Sequence, residues 1–122
     1  MQPKILIIDD DPVTLTMLSK SLAGEGFEIL TSRDGQEGLD LVYRERPVLV
    51  ICDLLIPHID GLDLSRTIKA DEDLHFTRVI LMSAVYKGMQ HKSDIWESGA
   101  DDFVTKPLDI GLLKEKIARL LG

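Results

Sequence analysis

Cysteine is nearly absent from this chain of 122 residues, in which Cys52 is the one example. A single cysteine excludes a disulfide framework and a cysteine metal cluster, so the composition fits a reducing, cytoplasmic setting. Cys52 lies inside an apolar run and is interpreted as a small buried hydrophobic residue. The histidines lack the spacing of metal ligands, and no catalytic role is assigned to His58, His75 or His91.

Positive charge is also scarce. Lysine and arginine number 14 against 21 aspartate and glutamate, a net charge of −7. Such a chain is poorly suited to phosphate backbones, so we expect no direct contact with nucleic acid. No apolar run approaches membrane-spanning length, and the N-terminus lacks the features of a signal peptide, so we expect no membrane association. The length suits one domain, 1–122, with a substantial core.

Short apolar runs alternate with amphipathic stretches along the chain. The predicted strands are 5–8, 27–31, 48–52, 79–82 and 103–104. Helical patterns lie between them, with Asp11 and Asp109 as N-cap candidates and a less regular helix over 93–98. Parallel strands need crossovers, so the pattern predicts an α/β fold. The expected fold is flavodoxin-like: a doubly wound parallel sheet of order 2-1-3-4-5, flanked by five helices. The more polar second strand is expected at an edge.

Side chains with reactive chemistry follow the predicted strands. Asp9 and Asp10 come after the first strand and Asp53 after the third. Ser83 follows the fourth strand and Lys106 the fifth. Functional groups of open α/β sheets gather beyond the carboxyl ends near the switch point, here between strands one and three. Carboxylates this close repel one another unless a cation compensates them, and Mg²⁺ prefers such oxygen ligands.

The predicted arrangement suits phosphoryl transfer. Asp53 would be the nucleophile and form an aspartyl phosphate. Mg²⁺ and Lys106 would neutralise charge on the phosphoryl oxygens, and Ser83 would donate a hydrogen bond to one of them. Each residue alone is more often structural, as Asp11 is when it caps a helix, so the hypothesis depends on their joint placement.

Four separated blocks together resemble the response-regulator receiver domain of two-component signalling, over essentially the whole chain. They are Ile7-Ile8-Asp9-Asp10, Asp53 to Pro57 with Asp60-Gly61, Ser83-Ala84, and Gly99 to Phe103 with Lys106-Pro107. The resemblance implies that a histidine kinase or phosphotransfer protein phosphorylates Asp53. It also implies that Asp10 binds Mg²⁺ directly and Asp9 through water. The backbone carbonyl of Leu55 would be a further ligand.

The same resemblance implies a switch. Ser83 would move toward the phosphoryl group, and Phe103 would change rotamer and alter the face formed by helix four, strand five and helix five. Phe103 lacks a tyrosine hydroxyl, so switching would use ring packing alone. The Lys106-Pro107 bond is expected to be cis. The kinase, the effector domain or protein, and homodimerisation through the last strand and helix stay open.

Two apolar positions suggest slow loss of phosphate. In receiver domains, the residues matching Leu55 and Val85 flank the route of the attacking water. Neither side chain here can orient a water molecule, so slow autodephosphorylation is expected. The chain is accordingly interpreted as a signalling domain that promotes its own phosphorylation, rather than as an enzyme.

Two alternatives come from other functional classes. Asp9 to Val13 fits the DxDxV opening of haloacid dehalogenase-type phosphohydrolases, with Asp9 as nucleophile and Asp101-Asp102 as a later acidic motif. That interpretation leaves Asp53 and Lys106 without roles. The other alternative is an interaction module in which phosphorylation is idle. No effector sequence follows Leu121, which fits either a free-standing receiver or part of a larger protein.

Overall fold

The computed structural model describes residues 2–84 and 90–122, with side chains for all of these except 90–92. Its strands are β1 (Lys4–Ile8), β2 (Glu28–Ser32), β3 (Leu49–Asp53), β4 (Arg78–Ala84) and β5 (Asp102–Lys106). Its helices are α1 (Pro12–Leu22), α2 (Gly35–Glu45), α3 (Gly61–Ala70), α4 (Gln90–Glu97) and α5 (Ile110–Leu121). A 3₁₀ turn, Ala23–Glu25, follows α1.

The strands form one parallel sheet of order β2-β1-β3-β4-β5, which confirms the predicted topology. β2 lies at an edge, as its polar pattern predicts. The structure extends β4 by two residues beyond the predicted end, and β3 includes Asp53. Asp53 pairs with Met82 and Ser83 with Thr105, so these two functional candidates are held by the strand ladder. Their backbones are consequently fixed more firmly than loop residues would be.

Hydrophobic cores cover both faces of the sheet. Alternate residues of β1 point to opposite faces, so Ile5 and Ile7 pack with α1 and α5 while Leu6 and Ile8 pack with α2 and α3. All four side chains are fully buried. Burial of both faces explains why the central strands read as continuous apolar runs. The sheet therefore forms a rigid support for the side chains at its carboxyl edge.

Aspartates cap four of the helices. The carboxylates of Asp11 and Asp109 accept hydrogen bonds from the backbone N–H groups of the first helical turn, as predicted. Asp34 caps α2, which begins at Gly35, and its carboxylate accepts a hydrogen bond from the backbone N–H of Glu37. Asp60 caps α3 in the same way, which places the start of that helix directly after the loop that follows Asp53.

Tyr43, on α2, is exposed, although its neighbour Val42 is fully buried. Its hydroxyl donates to a carboxylate oxygen of Asp71 at 3.0 Å, since a phenol can bury part of its ring while keeping its polar end at the surface. α4 begins at Gln90, three residues before the predicted start at Ser93. No described helix is long and apolar enough to cross a membrane.

Gly61 is required by close approach of the backbone. A Cβ atom at this position would lie 2.6 Å from the carbonyl oxygen of Asp53 and 3.0 Å from the Cα of Leu54. We expect Gly61→Ala to lower the free energy of unfolding by about 1–3 kcal/mol, because backbone rather than a flexible side chain must shift. Gly24→Ala is the control, since no atom lies within 4 Å of the added methyl group. Equal urea midpoints for the two variants would contradict this prediction.

Candidate functional site

Three carboxylates meet at the carboxyl edge of the sheet. Oxygen atoms of Asp9, Asp10 and Asp53 all lie within 4.8 Å of one another. Asp9 is 1% exposed, the side chain of Asp53 is 14% exposed, and Asp10 faces solvent. β1 and β3 are neighbours at the point where strand order reverses, so the predicted switch-point cluster is present.

Lys106 connects two of these carboxylates. Its Nζ lies 2.9 Å from Oδ2 of Asp9 and 3.3 Å from Oδ2 of Asp53. Burial lowers the pKa of this ammonium, but hydrogen bonding to Asp9 and the charge of Asp53 outweigh burial and leave the pKa raised. Lys106 is therefore protonated at neutral pH. The peptide bond to Pro107 is cis, as expected.

Asp9 is occupied by contacts within the chain. Its Oδ1 accepts a hydrogen bond from the backbone N–H of Asp11 at 2.9 Å, and its Oδ2 accepts from Lys106. Asp10 has its side chain at the surface of the same cluster. Asp9 therefore has both carboxylate oxygens engaged within the chain, whereas the Asp10 carboxylate lies at the surface.

Two further predicted residues, Ser83 and Leu55, line the same cavity as Asp53. Ser83 is buried, lines the same cavity as Asp53 and Lys106, and donates to the carbonyl of Ala84 at 3.3 Å. Leu55, in the loop after β3, is 70% exposed. Val85 lies outside the described residues.

Phe103 lies in β5, the strand beside β4, and is half-buried. Its ring meets Trp96 edge-to-face, with 5.7 Å between ring centroids. The Nζ of Lys116 lies 5.9 Å from its centroid. Phe103 therefore contacts both α4 and α5.

Comparisons with known proteins decide the family. A family model described as the response regulator receiver domain matches residues 5–118. This chain is a member of that family. The chain is 34% identical over 119 residues to the DNA-binding dual master transcriptional regulator RpaA of Synechocystis, covering 98% of this chain and 49% of that protein. It is 37% identical over 120 residues to the DNA-binding response regulator MtrA of Mycolicibacterium smegmatis, covering 98% and 50%. The chain thus spans about half the length of these curated relatives.

Solved structures agree with this assignment. A putative response regulator from Chloroflexus aurantiacus has a TM-score of 0.92 at 29% identity, covering 99% of this chain and 98% of that one. The signal receiver domain of a histidine kinase from Syntrophus aciditrophicus has a TM-score of 0.90 at 34% identity, covering 98% and 89%. The haloacid dehalogenase alternative receives no support from the family match.

The oxygen donors of the receiver domain fit Mg²⁺. Receiver domains bind this ion at their acidic site, and the donor set here consists of hard carboxylate oxygens. Among the residues that the structure describes, the ammonium of Lys106 contacts two of the three carboxylates. The resulting excess of negative charge favours a divalent cation.

Some contributors to the site could not be recognised from sequence. Arg33, in the loop after β2, donates from its guanidinium to the backbone carbonyl of Asp10 at 3.2 Å. The N–H of Gly35 donates to the carbonyl of Pro57 at 3.0 Å and ties the loop after β3 to the start of α2. Such contacts join distant segments through the backbone and leave no pattern in residue type.

Asp53→Asn is expected to stabilise the metal-free domain at neutral pH. Burial raises the pKa of the Asp53 carboxyl; Lys106 opposes this effect, and the charge of Asp9 adds to it. Because the folded pKa exceeds the unfolded one, stability falls as pH rises from about 3.9 through the folded value. Asparagine carries no charge, so the variant does not bear the cost of a buried carboxylate. The urea midpoint of Asp53→Asn in EDTA should therefore exceed that of wild type at pH 7 and match it at acidic pH.

Asp63→Asn provides the control for this measurement. The Asp63 side chain is 62% exposed and pairs with Arg66 at the surface, so its replacement should not raise the midpoint. A lower midpoint for Asp53→Asn than for wild type at pH 7 would show that the charged carboxylate stabilises the fold, contrary to this prediction.

Proposed function

We propose that this receiver domain accepts a phosphoryl group on Asp53 from the phosphohistidine of a histidine kinase or phosphotransfer protein. The observation that carries the proposal is the 3.3 Å contact between the Asp53 carboxylate and the Lys106 ammonium, beside two further carboxylates. A nucleophile, a fixed positive charge and oxygen ligands for a cation are thus together at one edge of the sheet. Phosphoryl transfer requires mainly such positioning and charge neutralisation.

In the proposed reaction, an oxygen of Asp53 forms a bond to phosphorus as the bond to the donor breaks. Lys106 neutralises charge on the phosphoryl oxygens. Its ammonium is already in position for this role, because it contacts the Asp53 carboxylate. Asp10, Asp53 and the Leu55 carbonyl would ligate Mg²⁺, with Asp9 acting through water. The bound ion would supply further neutralisation of the same oxygens.

Ser83 and Phe103 are the proposed switch residues. The Ser83 hydroxyl makes a long hydrogen bond of 3.3 Å, which a phosphoryl oxygen would replace with a stronger, charge-assisted one. A rotamer change of Phe103 would remove its edge-to-face contact with Trp96. The face formed by α4, β5 and α5 would then bind an effector domain or protein, or a second copy of this chain, differently.

Several wider features belong to the same proposal. Residues 1–122 act as one signalling domain, either alone or within a longer protein. The net charge of −7 supports an absence of direct DNA contact by this domain, although the two relatives above are DNA-binding regulators. The near absence of cysteine supports a cytoplasmic location.

The proposal is tested by incubating the protein with acetyl phosphate, with Mg²⁺ or with EDTA. We expect one phosphoryl group per chain with Mg²⁺ and none with EDTA, as measured by intact mass. Trp96 is the chain's one tryptophan, and its fluorescence should change along with the label. A folded protein that takes up no phosphoryl group from this donor or from a histidine kinase would favour the interaction-module alternative.

Slow autodephosphorylation gives a separate prediction. Leu55 is largely exposed beside Asp53, and we expect its apolar side chain, together with Val85, to hinder an attacking water. The phosphorylated wild type should outlast the double variant Leu55→Asn/Val85→Glu by about tenfold or more, because the polar side chains can orient water. The measurement is loss of label after removal of the donor. A wild-type half-life equal to or shorter than that of the double variant would contradict the prediction.

A further inference from the structure

We propose that Arg33 is a positioning residue for Mg²⁺: its guanidinium holds the backbone of Asp10, so that the Asp10 carboxylate is preorganised to bind the ion. The inference rests on the proposed function, in which Asp10 ligates Mg²⁺ beside Asp53. It adds a residue that lies outside the carboxylate cluster and is assigned no contact with the ion or with the phosphoryl group.

Asp10 depends on Arg33 for its position. It lies between the end of β1 and the start of α1, in neither element, and it is exposed. Within residues 2–84 and 90–122, the one hydrogen bond of Asp10 runs from the guanidinium of Arg33 to its backbone carbonyl, at 3.2 Å. Asp9, by comparison, donates its backbone N–H to the Ser32 carbonyl at 3.1 Å and has both carboxylate oxygens bonded. Loss of the Arg33 side chain would therefore release Asp10 and leave Asp9 held.

The backbone of Arg33 is itself fixed on both sides. Ser32, the last residue of β2, pairs with Ile8 of β1, so Arg33 directly follows the strand ladder. On the other side, Asp34 caps α2, and its backbone carbonyl accepts a hydrogen bond from the Ser32 hydroxyl at 2.9 Å. The guanidinium thus extends from a short link between a strand end and a helix cap, which gives it a defined place from which to hold the neighbouring loop.

The guanidinium has two opposite effects on Mg²⁺ binding. Its positive charge disfavours a divalent cation nearby, but Arg33 is exposed, and salt screens surface charges beyond about 8 Å at physiological ionic strength. Its hydrogen bond restrains a ligand-bearing residue, and partners of this kind change metal affinity by about 10-fold to 100-fold. We expect the hydrogen bond to outweigh the charge, most clearly at about 0.5 M salt, at which charge interactions are short-ranged.

The test is the Mg²⁺ dissociation constant of Arg33→Met, obtained from the rise of the urea midpoint with Mg²⁺ concentration in about 0.5 M KCl. It should be about tenfold larger than that of wild type. Arg33→Lys keeps the charge but loses the planar donor group, so its constant should fall between the two. Equal constants for wild type and Arg33→Met, or tighter binding by the variant, would overturn the inference. Absence of any Mg²⁺ effect on wild type would instead overturn the metal-dependent function on which the inference rests.

Arg46→Met is the matched control. Arg46 is also exposed, and its guanidinium also donates to a backbone carbonyl, that of Asp73 at 3.0 Å. Neither residue belongs to the carboxylate cluster. The control should therefore retain the wild-type dissociation constant for Mg²⁺, and an increase equal to that of Arg33→Met would overturn the specific role of Arg33.

Phosphorylation distinguishes a positioning role from direct contact with the phosphoryl group. With acetyl phosphate, labelling of Arg33→Met should be slower than that of wild type by about tenfold when the Mg²⁺ concentration is far below the dissociation constant. The difference should disappear at saturating Mg²⁺, because both proteins then hold the ion. A deficit that persists at saturation would mean that Arg33 acts on the phosphoryl group or its donor, which would overturn the positioning role.

Discussion

Asp53→Asn is expected to lower Mg²⁺-dependent incorporation of phosphoryl groups by at least about 100-fold, to the background of the assay. The amide cannot supply the anionic oxygen that attacks phosphorus. It does retain an oxygen that can accept from Lys106, which contacts Asp53 Oδ2 at 3.3 Å in the native protein. Loss of labelling in this variant would therefore reflect loss of the nucleophile rather than collapse of the site.

The matched control for this substitution is Asp101→Asn. Asp101 has a side chain 17% exposed and pairs with Lys69 at 2.7 Å, so it resembles Asp53 in burial and in pairing. It lies outside the carboxylate cluster and should retain wild-type labelling. Labelling that survives Asp53→Asn would contradict the proposed acceptor, and loss in Asp101→Asn alone would favour the phosphohydrolase alternative.

Lys106→Met is expected to destabilise the metal-free domain by about 3 kcal/mol, since a buried charge loses its partner. Asp9 is almost fully buried, and its Oδ2 accepts from the Lys106 ammonium at 2.9 Å. Without that ammonium, the Asp9, Asp10 and Asp53 carboxylates repel one another, and no other ammonium or guanidinium of the described side chains forms an ion pair with them. Phosphorylation should also slow by about 100-fold or more, because the phosphoryl oxygens lose one source of neutralisation.

Mg²⁺ distinguishes this electrostatic cause from a general packing defect. Urea unfolding in EDTA and in Mg²⁺ should show that the ion recovers part of the stability lost in Lys106→Met. Lys114→Met is the control, since Lys114 and Glu25 are exposed and 3.9 Å apart, and it should cost less than about 1 kcal/mol in either condition. Equal losses in both variants, with no effect of Mg²⁺, would contradict the account.

The architecture was predictable because the strongest physical constraints are local in sequence. The runs around Ile7 and Ile51 are apolar because both faces of the central strands are buried, and crossover helices then require parallel pairing. Once the strand order follows, Asp9, Asp53 and Lys106 must come to the same edge. The proximity of these three side chains was therefore predictable, although they are far apart in the sequence.

Other features depend on tertiary contacts that residue patterns do not encode. Tyr43 occupies a helical position that could face the core, but its hydroxyl has a partner in Asp71 at the surface. The cavity beside Asp53 is lined by residues at the ends of β3, β4 and β5, in the loop after β3 and in α3. Its volume follows from how these elements pack, and no spacing along the chain reports it.

The most direct test of the central claim is to locate the phosphoryl group on the chain. The acyl phosphate formed with acetyl phosphate and Mg²⁺ can be trapped by borohydride reduction and mapped by tandem mass spectrometry. We expect Asp53 to be the sole aspartate that is reduced. Modification of Asp9 in place of Asp53 would contradict the account and support a phosphohydrolase-type nucleophile.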